Sequence, residues 1–417
     1  MKERRKITAE TAGRYQKASK KEKSLTLNWF TELTGYNRSY ASHLLSLQGR
    51  KINLKPKLRL KADLRVKFKR KREKIYDERV KEALLLVWKI LNYPCSKKLK
   101  VALKEVIPKL IQFGEILLKK DTEKKLLRIS ASTIDRMFQK ERGKYQLKGR
   151  QLTRPGNLLK NQIPIRTFSE WNEEKPGFLE MDLVGHEGGN SKGEFLQTLT
   201  AVDIHTSWLQ LAALRNKAQK WVYEAIEEMR KRLPFELLGI DSDNGAEFIN
   251  AHLIRYCREH KITFTRSRKY RKNDNCYVEE KNNSVVRNYV GYMRFDTEEE
   301  LKLLKDLYAC LELQVNFFLP VMKCREKVRI GSKLRKRYDA PRTPYQRVLE
   351  SEEVKGEKKK ILKKIYRKLN PAEIARRITE LQDALLKQVL LKEGRGKNMK
   401  EDPFKGKKSG ETSFVFN

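Results

Sequence analysis

Two neighbouring stretches decide the fold: residues 240–248, IDSDNGAEF, and residues 264–292, FTRSRKYRKNDNCYVEEKNNSVVRNYVGY. Asp243 lies in the first stretch and Glu279 in the second, with thirty-five residues between them. We expect Asp243 at the end of a strand and Glu279 at the start of a helix, with a basic loop in between. Carboxylates placed in this way indicate a metal site that acts on phosphodiesters.

A strand-rich region surrounds these two stretches. Its apolar residues recur at intervals typical of strands and helices in turn. The predicted strands are 178–184, which carries Asp182, and 195–204, 207–214, 236–241 and 262–265. The predicted helices are 217–233, 246–260, a long helix beginning near Val278, and 297–318. These elements follow one another as three strands, a helix, a strand, a helix, a strand and a helix. This is the order of a ribonuclease-H-like mixed sheet.

Four features in order carry a resemblance to a known family. They are the motif LEMD that ends at Asp182, the motif DSDNGAEF at 241–248, the basic loop after it, and the motif VEEKNN at 278–283. Together they resemble the catalytic core of retroviral integrases and DDE transposases, over residues 176–320. The run KNDNCYVEEKN is more similar to bacterial insertion-sequence transposases than to the viral enzymes.

The resemblance implies a catalytic triad, Asp182, Asp243 and Glu279, whose carboxylates bind two Mg²⁺ ions, with Mn²⁺ able to substitute. Magnesium prefers hard oxygen ligands. Two ions about 3.5–4 Å apart activate the attacking oxygen and stabilise the leaving oxygen of an in-line displacement at phosphorus. By the same resemblance Asp182 bridges both ions, Asp243 holds one and Glu279 holds the other. No zinc module precedes the core, so zinc is not expected.

Other acids and histidines compete with these assignments. Asp241, two residues before Asp243, is either a rival ligand or a strand-end hydrogen-bonding residue, and we favour the second role. Glu280 directly follows Glu279, but successive helical residues diverge by about 100°, so only one of them faces the metals. The motif register favours Glu279. The remaining polar residues, predicted to be structural or loop residues, are Asp203, His186 and His205.

Basic and polar residues around Glu279 are candidate DNA contacts, because they suit phosphate binding. Each is equally compatible with an ordinary solvated surface. Those on the helix of Glu279 are Lys281, Asn282 and Arg287. Those in the preceding loop are Lys269, Arg271 and Lys272.

Two helical units precede the core. Residues 1–74 contain two helical patterns joined by a glycine-containing turn, and then a basic linker over 50–74. Residues 75–168 contain further helices with a similar final pair, and then a linker over 143–168. Each unit is either a DNA-reading helix-turn-helix domain or an ordinary helical domain, and two in series resemble the end-binding region of transposases. The candidate DNA-reading residues are Arg38, Ser39, Ser42, Thr133 and Arg136.

The core, residues 169–320, is followed by a basic C-terminal region over 321–417. Its first part, to about residue 350, is basic with scattered aromatics and fits a DNA-contacting extension of unpredicted fold. Residues 357–391 predict helix with an apolar seam that packs either internally or against another protomer. The seam consists of Ile374, Ile378, Leu381, Leu385 and Val389. The polar residues after 394 have the composition of a disordered tail.

Charge indicates the partner. The 417 residues include 94 Lys and Arg against 53 Asp and Glu, a formal net charge of +41, which predicts a polyanion, double-stranded DNA first. The five cysteines are scattered and show no CxxC pair, which favours reduced thiols. We expect neither a secretory leader nor a membrane span.

The sequence therefore predicts a multidomain α and α/β protein with helix-turn-helix domains, a ribonuclease-H-like mixed-sheet core and a basic, mainly helical C-terminal region. The resemblance implies an insertion-sequence transposase that binds terminal inverted repeats and target DNA, then cleaves and joins strands as a homodimer or larger assembly. We expect it in the cytoplasm, associated with the nucleoid of a prokaryote. The alternatives are a DNA-binding regulator with an inactive core and a ribonuclease-H-like nuclease.

Overall fold

The computed structural model divides the chain into two compact units, Met1–Lys74 and Ile75–Asn417. None of the described helices is both long enough and apolar enough to span a bilayer. The described residues are 2–55, 58–61, 75–142, 175–242, 248, 251–266, 275–331, 333–392 and 394.

The first unit packs three helices around a small apolar core. Ala12, Phe30, Ala41 and Leu45 are fully buried in it. Gly35, with φ of 69°, ends the second helix, because glycine adopts the left-handed conformation without a steric penalty. The elements are α1 (Lys2–Lys17), α2 (Lys20–Thr34), α3 (Arg38–Leu47) and an antiparallel pair of strands, β1 (Lys51–Lys55) and β2 (Leu58–Lys61).

The second unit begins with four helices. Asp77 caps the first of them by accepting a hydrogen bond from the backbone N–H of Val80 at 3.0 Å. Trp88 packs against Phe138, with ring centroids 4.6 Å apart and the rings tilted by 35°, and so joins the first of these helices to the last. They are α4 (Glu78–Ile90), α5 (Ser96–Gln112), α6 (Lys120–Arg128) and α7 (Ala131–Arg142).

A five-stranded mixed sheet forms the centre of the second unit. Its strand order is β5-β4-β3-β6-β7; β3, β4 and β5 pair antiparallel, whereas β6 is parallel to both β3 and β7. The strands are β3 (Phe178–Gly185), β4 (Gln197–Asp203), β5 (Leu209–Leu214), β6 (Gly239–Ser242) and β7 (Thr263–Arg266). All five lie within or close to the strands predicted from the sequence, so the prediction of a mixed α/β core is confirmed.

Helices alternate with the later strands, in the predicted order. The predicted helix near Val278 begins at Cys276 and continues through a π-helical segment that the sequence did not predict. The elements are α8 (Gln219–Arg232), α9 (Ala251–Glu259), α10 (Cys276–Lys281), the π-helical segment (Asn282–Arg287), α11 (Asn288–Val290) and α12 (Glu298–Phe318).

The C-terminal elements complete the second unit. All five residues of the predicted seam are buried, and α15 packs on α12, so the seam packs internally. Lys109 of α5 donates hydrogen bonds to the carbonyls of Tyr366 at 2.7 Å and Arg367 at 2.8 Å, which joins the early helices to the late ones. The elements are β8 (Cys324–Ile330), β9 (Lys333–Tyr338), α13 (Pro344–Glu350), α14 (Gly356–Lys368) and α15 (Pro371–Lys392).

Candidate active site

The site is built on one face of the sheet, where acidic side chains follow one another on adjacent strands. Side chains alternate along a strand, so Glu180 and Asp182 of β3 share a face. Asp241 of β6 is the register partner of Glu180 and lies on that face too. We call Glu180, Asp182 and Asp241 the acidic face.

Asp182 is half-buried and held by two hydrogen bonds. One carboxylate oxygen accepts from the backbone N–H of Leu183 at 2.8 Å, and the other accepts from the side-chain amide of Asn282 at 2.7 Å. Asn282 directly follows α10 in sequence. The bond therefore joins the strand that carries Asp182 to the helical run that carries Glu279.

Glu180 is a buried acid that the sequence interpretation missed. Its side chain is fully buried, and its Oε2 accepts hydrogen bonds from the backbone N–H groups of Tyr277 at 2.8 Å and Val278 at 2.9 Å. Its Oε1 has no hydrogen-bond partner among the described residues. Burial raises the pKa of Glu180 well above its ordinary value, and the neighbouring carboxylates of Asp241 and Glu279 act in the same direction, whereas the two N–H groups oppose it.

Asp241 is buried, with 1% of its surface exposed. It accepts a hydrogen bond from the hydroxyl of Thr265, its register partner on β7. This is the kind of strand-end hydrogen bond that we favoured for Asp241.

The two consecutive acids of α10 differ in their surroundings. Glu279 lies in the first turn of the helix and its side chain is exposed to solvent. Glu280 forms an ion pair with the buried Lys281 at 3.1 Å. Both carboxylates are therefore accessible to solvent, and Glu280 is in addition engaged by a neighbouring cation.

The third acid of the predicted triad, Asp243, lies outside the described residues, as do Lys269, Arg271 and Lys272. The described part of β6 ends one residue earlier, at Ser242, whose register partner on β3 is Met181. Within the described part of the chain, no group of three His, Cys, Asp or Glu side chains is arranged to hold a metal ion.

Three predicted DNA contacts on the helical run make contacts within the protein. Asn282 binds Asp182, as described above. Arg287 donates to the carbonyl of Gly185 at 2.9 Å, and Lys281 is buried beside Glu280. The bonds of Asn282 and Arg287 hold this helical run against β3.

The predicted DNA-reading residues of the helical units lie on α3 and α7. Arg38 binds the side chains of Asn28 and of Ser24, the latter at 2.9 Å, and so joins α3 to α2. Ser42 lies 3.2 Å from the hydroxyl of Tyr15. The remaining three are Ser39 and Arg136, which are exposed, and Thr133, which is half-buried.

Asp203 and His186 have the structural surroundings that we predicted for them. Asp203 is fully buried and accepts from the backbone N–H groups of Gly177 at 2.8 Å and Thr206 at 2.6 Å. His186 is fully buried with its Nε2 2.7 Å from the hydroxyl of Thr198. Burial and the charge of Arg287 lower the pKa of His186 to about 3, so this histidine is neutral near pH 7.

A second charged region lies after the core. We call β8 and β9 the basic hairpin, because residues 324–338 contain seven Lys and Arg and one acid. Arg325, Arg329 and Arg335 are among its exposed residues. Its one acid, Glu326, forms an ion pair at 3.1 Å with its cross-strand partner Arg337.

The base of the basic hairpin is firmly attached to the rest of the unit. Asp339 accepts from the backbone N–H of Lys323 at 2.7 Å and forms a buried ion pair with Arg347 at 2.8 Å. The ammonium group of Lys323 donates to the carbonyl of His205 at 3.0 Å, in the turn between β4 and β5. The hairpin therefore has a fixed base and an exposed, cationic body.

The chain is similar to several known proteins. The family model of the integrase core domain matches residues 172–272. A protein of Sinorhizobium fredii (strain NBRC 101917 / NGR234), named uncharacterized protein y4rM, is 35% identical over 336 residues, which are 80% of this chain and 91% of that protein.

Solved structures of integrase cores are also similar to part of the chain. The catalytic core domain of BIV integrase is 17% identical, with a match that covers 42% of this chain and 94% of that one at a TM-score of 0.29. The HTLV-2 integrase catalytic core domain, solved in complex with magnesium, is 14% identical over 36% of this chain and 92% of that one, at a TM-score of 0.27.

Proteins with an integrase catalytic core are typically polynucleotidyl transferases. Three findings lead to one family assignment. They are the motifs around Asp182 and Glu279, the match to the integrase core domain and the identity to the S. fredii protein over most of the chain. The chain belongs to the DDE integrase and transposase family.

Proposed function

We propose that the protein is a DNA transposase of the insertion-sequence type, which cleaves DNA at the ends of its element and joins the freed 3′ ends to target DNA. One observation carries the proposal: the hydrogen bond between Asn282 and Asp182 holds the helical run of Glu279 beside the strand of Asp182. This bond supports a site in which two carboxylates that are far apart in sequence act together.

Sequence and register support Asp243 as the third carboxylate. Ser242 pairs with Met181 in parallel register. Each of these residues is followed directly by an acid of the proposed triad, Asp243 and Asp182. A strand pair that continued by one residue would set these two acids side by side, on the face already occupied by Glu180 and Asp241.

The donor chemistry fits a hard divalent cation. Asp182 is half-buried and Glu279 is exposed, so both are carboxylates that a cation can approach from solvent. Asp182, Asp243 and Glu279 would hold two Mg²⁺ ions, or Mn²⁺ in their place, which when bound activate the attacking oxygen and stabilise the leaving oxygen. The Leu183 and Asn282 hydrogen bonds fix the orientation of the Asp182 carboxylate, which lowers the entropic cost of assembling the site.

Charge and shape support a DNA partner. The basic hairpin is a two-stranded ribbon, which the major groove admits, and its exposed arginines suit phosphates. The helical units would read terminal repeats, with Arg38, Ser39, Ser42, Thr133 and Arg136 as the candidate contacts. The candidate contacts to the cleaved end are Lys269, Arg271, Lys272, Lys281, Asn282 and Arg287.

Assembly and location follow from the proposed chemistry. Two element ends must be cut together, so the protein would act as a homodimer or a larger assembly on DNA. It would work in the cytoplasm of a prokaryote, on the nucleoid. The domains would be 1–74 and 75–168 for DNA reading, 169–320 for catalysis and 321–417 as the basic extension.

The test uses the DNA that flanks the coding region. Imperfect inverted repeats on both sides are expected. Purified protein should nick a duplex that carries one repeat only when Mg²⁺ or Mn²⁺ is present, and Asp243→Asn should abolish the nicking. Unchanged nicking by Asp243→Asn would overturn the site assignment. Binding without nicking would favour a regulator, and preferential cutting of an RNA–DNA hybrid would favour a nuclease.

A further inference from the structure

The buried Glu180 has no role in the triad, although it lies two residues before Asp182 on the same face of β3. It accepts hydrogen bonds from the N–H groups of Tyr277 and Val278, which belong to the first turn of α10. These groups have no partners within a helix. Glu180 therefore caps α10 from a different element of the fold, 97 and 98 residues away in sequence.

Glu180 and Asp182 together attach the helix to the strand at two points. Glu180 binds the N–H of Val278, and Asp182 binds the side chain of Asn282, four residues further on. Two residues of strand rise about 6.6 Å and four residues of helix rise about 6 Å. The two spacings match when the helix runs alongside the strand. Glu279 lies between the two attachment points.

A glutamate at this position carries a cost as well as a gain in stability. Burying a carboxyl group with one unpaired oxygen disfavours folding, and this offsets part of what its two hydrogen bonds to the helix contribute. The neighbouring negative charges of Asp241 and Glu279 add to this cost. Glu180 supplies a hydrogen-bond acceptor at one fixed place, within reach of the N–H groups of both Tyr277 and Val278.

We propose that Glu180 is a positioning residue which, together with Asp182, fixes the first turn of α10 on β3 and so sets where the Glu279 carboxylate lies. The inference rests on the proposed function, because the carboxylate that Glu180 positions is a proposed metal ligand. The relevant property of Glu180 is its oxygen acceptor, which an uncharged glutamine also has.

Hydrogen exchange in the metal-free, full-length protein tests the inference without activity. Glu180→Ala should speed amide exchange over residues 275–282 by about tenfold or more, because it removes two hydrogen bonds to the first turn. Glu180→Gln should exchange there as the wild type does. Asp203→Ala is the matched control: it removes another buried carboxylate that accepts two backbone N–H bonds, and it should leave exchange over 275–282 unchanged.

Strand cleavage provides the second measurement. Glu180→Ala should lower kcat by about 10- to 100-fold, as loss of a ligand-orienting partner does, and raise the Mg²⁺ concentration needed for half-maximal rate, with KM for DNA unchanged. Glu180→Gln should restore both values to near those of the wild type. If Glu180→Ala does not fold, Glu180→Asp replaces it, since the shorter side chain cannot reach both N–H groups; it should show the same changes, more weakly.

Three results would overturn the inference. The first is a wild-type rate of amide exchange over residues 275–282 in the folded Glu180→Ala or Glu180→Asp variant. The second is an equal change in that rate in Glu180→Ala and Asp203→Ala. The third is a Glu180→Gln variant whose exchange and cleavage are as impaired as those of Glu180→Ala. If the wild type itself cleaves no DNA, the proposed function fails. In that case the hydrogen-exchange data alone test whether Glu180 fixes the first turn of α10.

Discussion

The acidic face and the basic hairpin hold their charges in opposite ways. On the acidic face, backbone and side-chain donors bind carboxylates that are buried or half-buried, so each carboxylate is held by at least one hydrogen bond. On the basic hairpin, arginines are exposed along a two-stranded ribbon that carries seven basic residues and one acid. Fixed anions suit a small cation that requires defined ligand geometry. Exposed cations suit a long polyanion that requires charge density.

This difference predicts that one set of substitutions lowers the rate of strand cleavage without changing DNA affinity, and that another set does the reverse. The largest expected effect is at Glu279. Glu279→Gln should lower the rate of strand cleavage at least about a thousandfold, because a ligand is lost from a site that supplies several kcal/mol of transition-state stabilisation. DNA affinity should be unchanged. Cleavage of a duplex under single-turnover conditions measures the rate, and fluorescence anisotropy measures the affinity.

Glu280→Gln is the control for this prediction. It removes the next carboxylate, which forms an ion pair with Lys281, and should change the cleavage rate by less than about threefold, as partly exposed ion pairs contribute little. Equal losses in the two variants would show that the acidic character of α10 matters and not the position of one carboxylate.

The second effect belongs to the basic hairpin. Replacing Arg325, Arg329 and Arg335 together by Gln should weaken DNA binding and lower the slope of log affinity against log salt by about 2.7, if all three lie against phosphates. The rate of cleavage from the bound complex should stay near that of the wild type.

A control with the same loss of charge separates contact from overall charge. Lys360, Lys363 and Lys364 of α14 are exposed, and replacing all three by Gln should change the salt slope much less. If both triple variants lose the same affinity and slope, DNA responds to net charge and the basic hairpin is not a specific contact surface.

The smallest effect concerns His186, a buried, neutral residue beside Thr198. Its pKa falls from 6.5 to about 3 on folding. Between these values the unfolded chain binds a proton that the folded protein does not, so the free energy of unfolding falls as pH falls. From pH 7.5 to 5.5 the loss is about 1.4 kcal/mol.

Urea unfolding of the wild type and His186→Gln at both pH values measures this contribution. The difference in unfolding free energy between the two proteins should shift by about 1.4 kcal/mol between pH 7.5 and 5.5, against the wild type at the lower pH. A difference that stays constant would mean that His186 titrates alike in the folded and unfolded states.

Sequence patterns predicted the core well, because apolar periodicity is a local property. The strands that carry Asp182 and precede Asp243 were found in this way, as was the helix of Glu279. Glu180 was not found, since its role depends on N–H groups almost a hundred residues away. The sequence did contain one indication of its role. Glu180 and Asp182 are two residues apart and so share one face of a strand that is otherwise rich in apolar residues.

The basic hairpin illustrates a different difficulty. Its alternating basic and apolar residues on either side of Gly331-Ser332 are the pattern of a two-residue hairpin turn, but the high charge resembles that of a solvated linker. Asn282 and Arg287 remain candidate DNA contacts, and each also has a contact within the protein that the sequence did not predict. Long polar side chains have several partners in reach, and sequence does not rank them.

The central claim is that the half-buried Asp182 serves chemistry and the fully buried Asp203 of the same sheet serves the fold. The direct test is Mg²⁺-dependent cleavage of a duplex bearing the terminal repeat by Asp182→Asn and Asp203→Asn, each checked for folding by circular dichroism. We predict that Asp182→Asn folds, binds DNA and does not cleave, whereas Asp203→Asn loses stability but cleaves whenever folded. Cleavage by a folded Asp182→Asn at the wild-type rate would contradict the account.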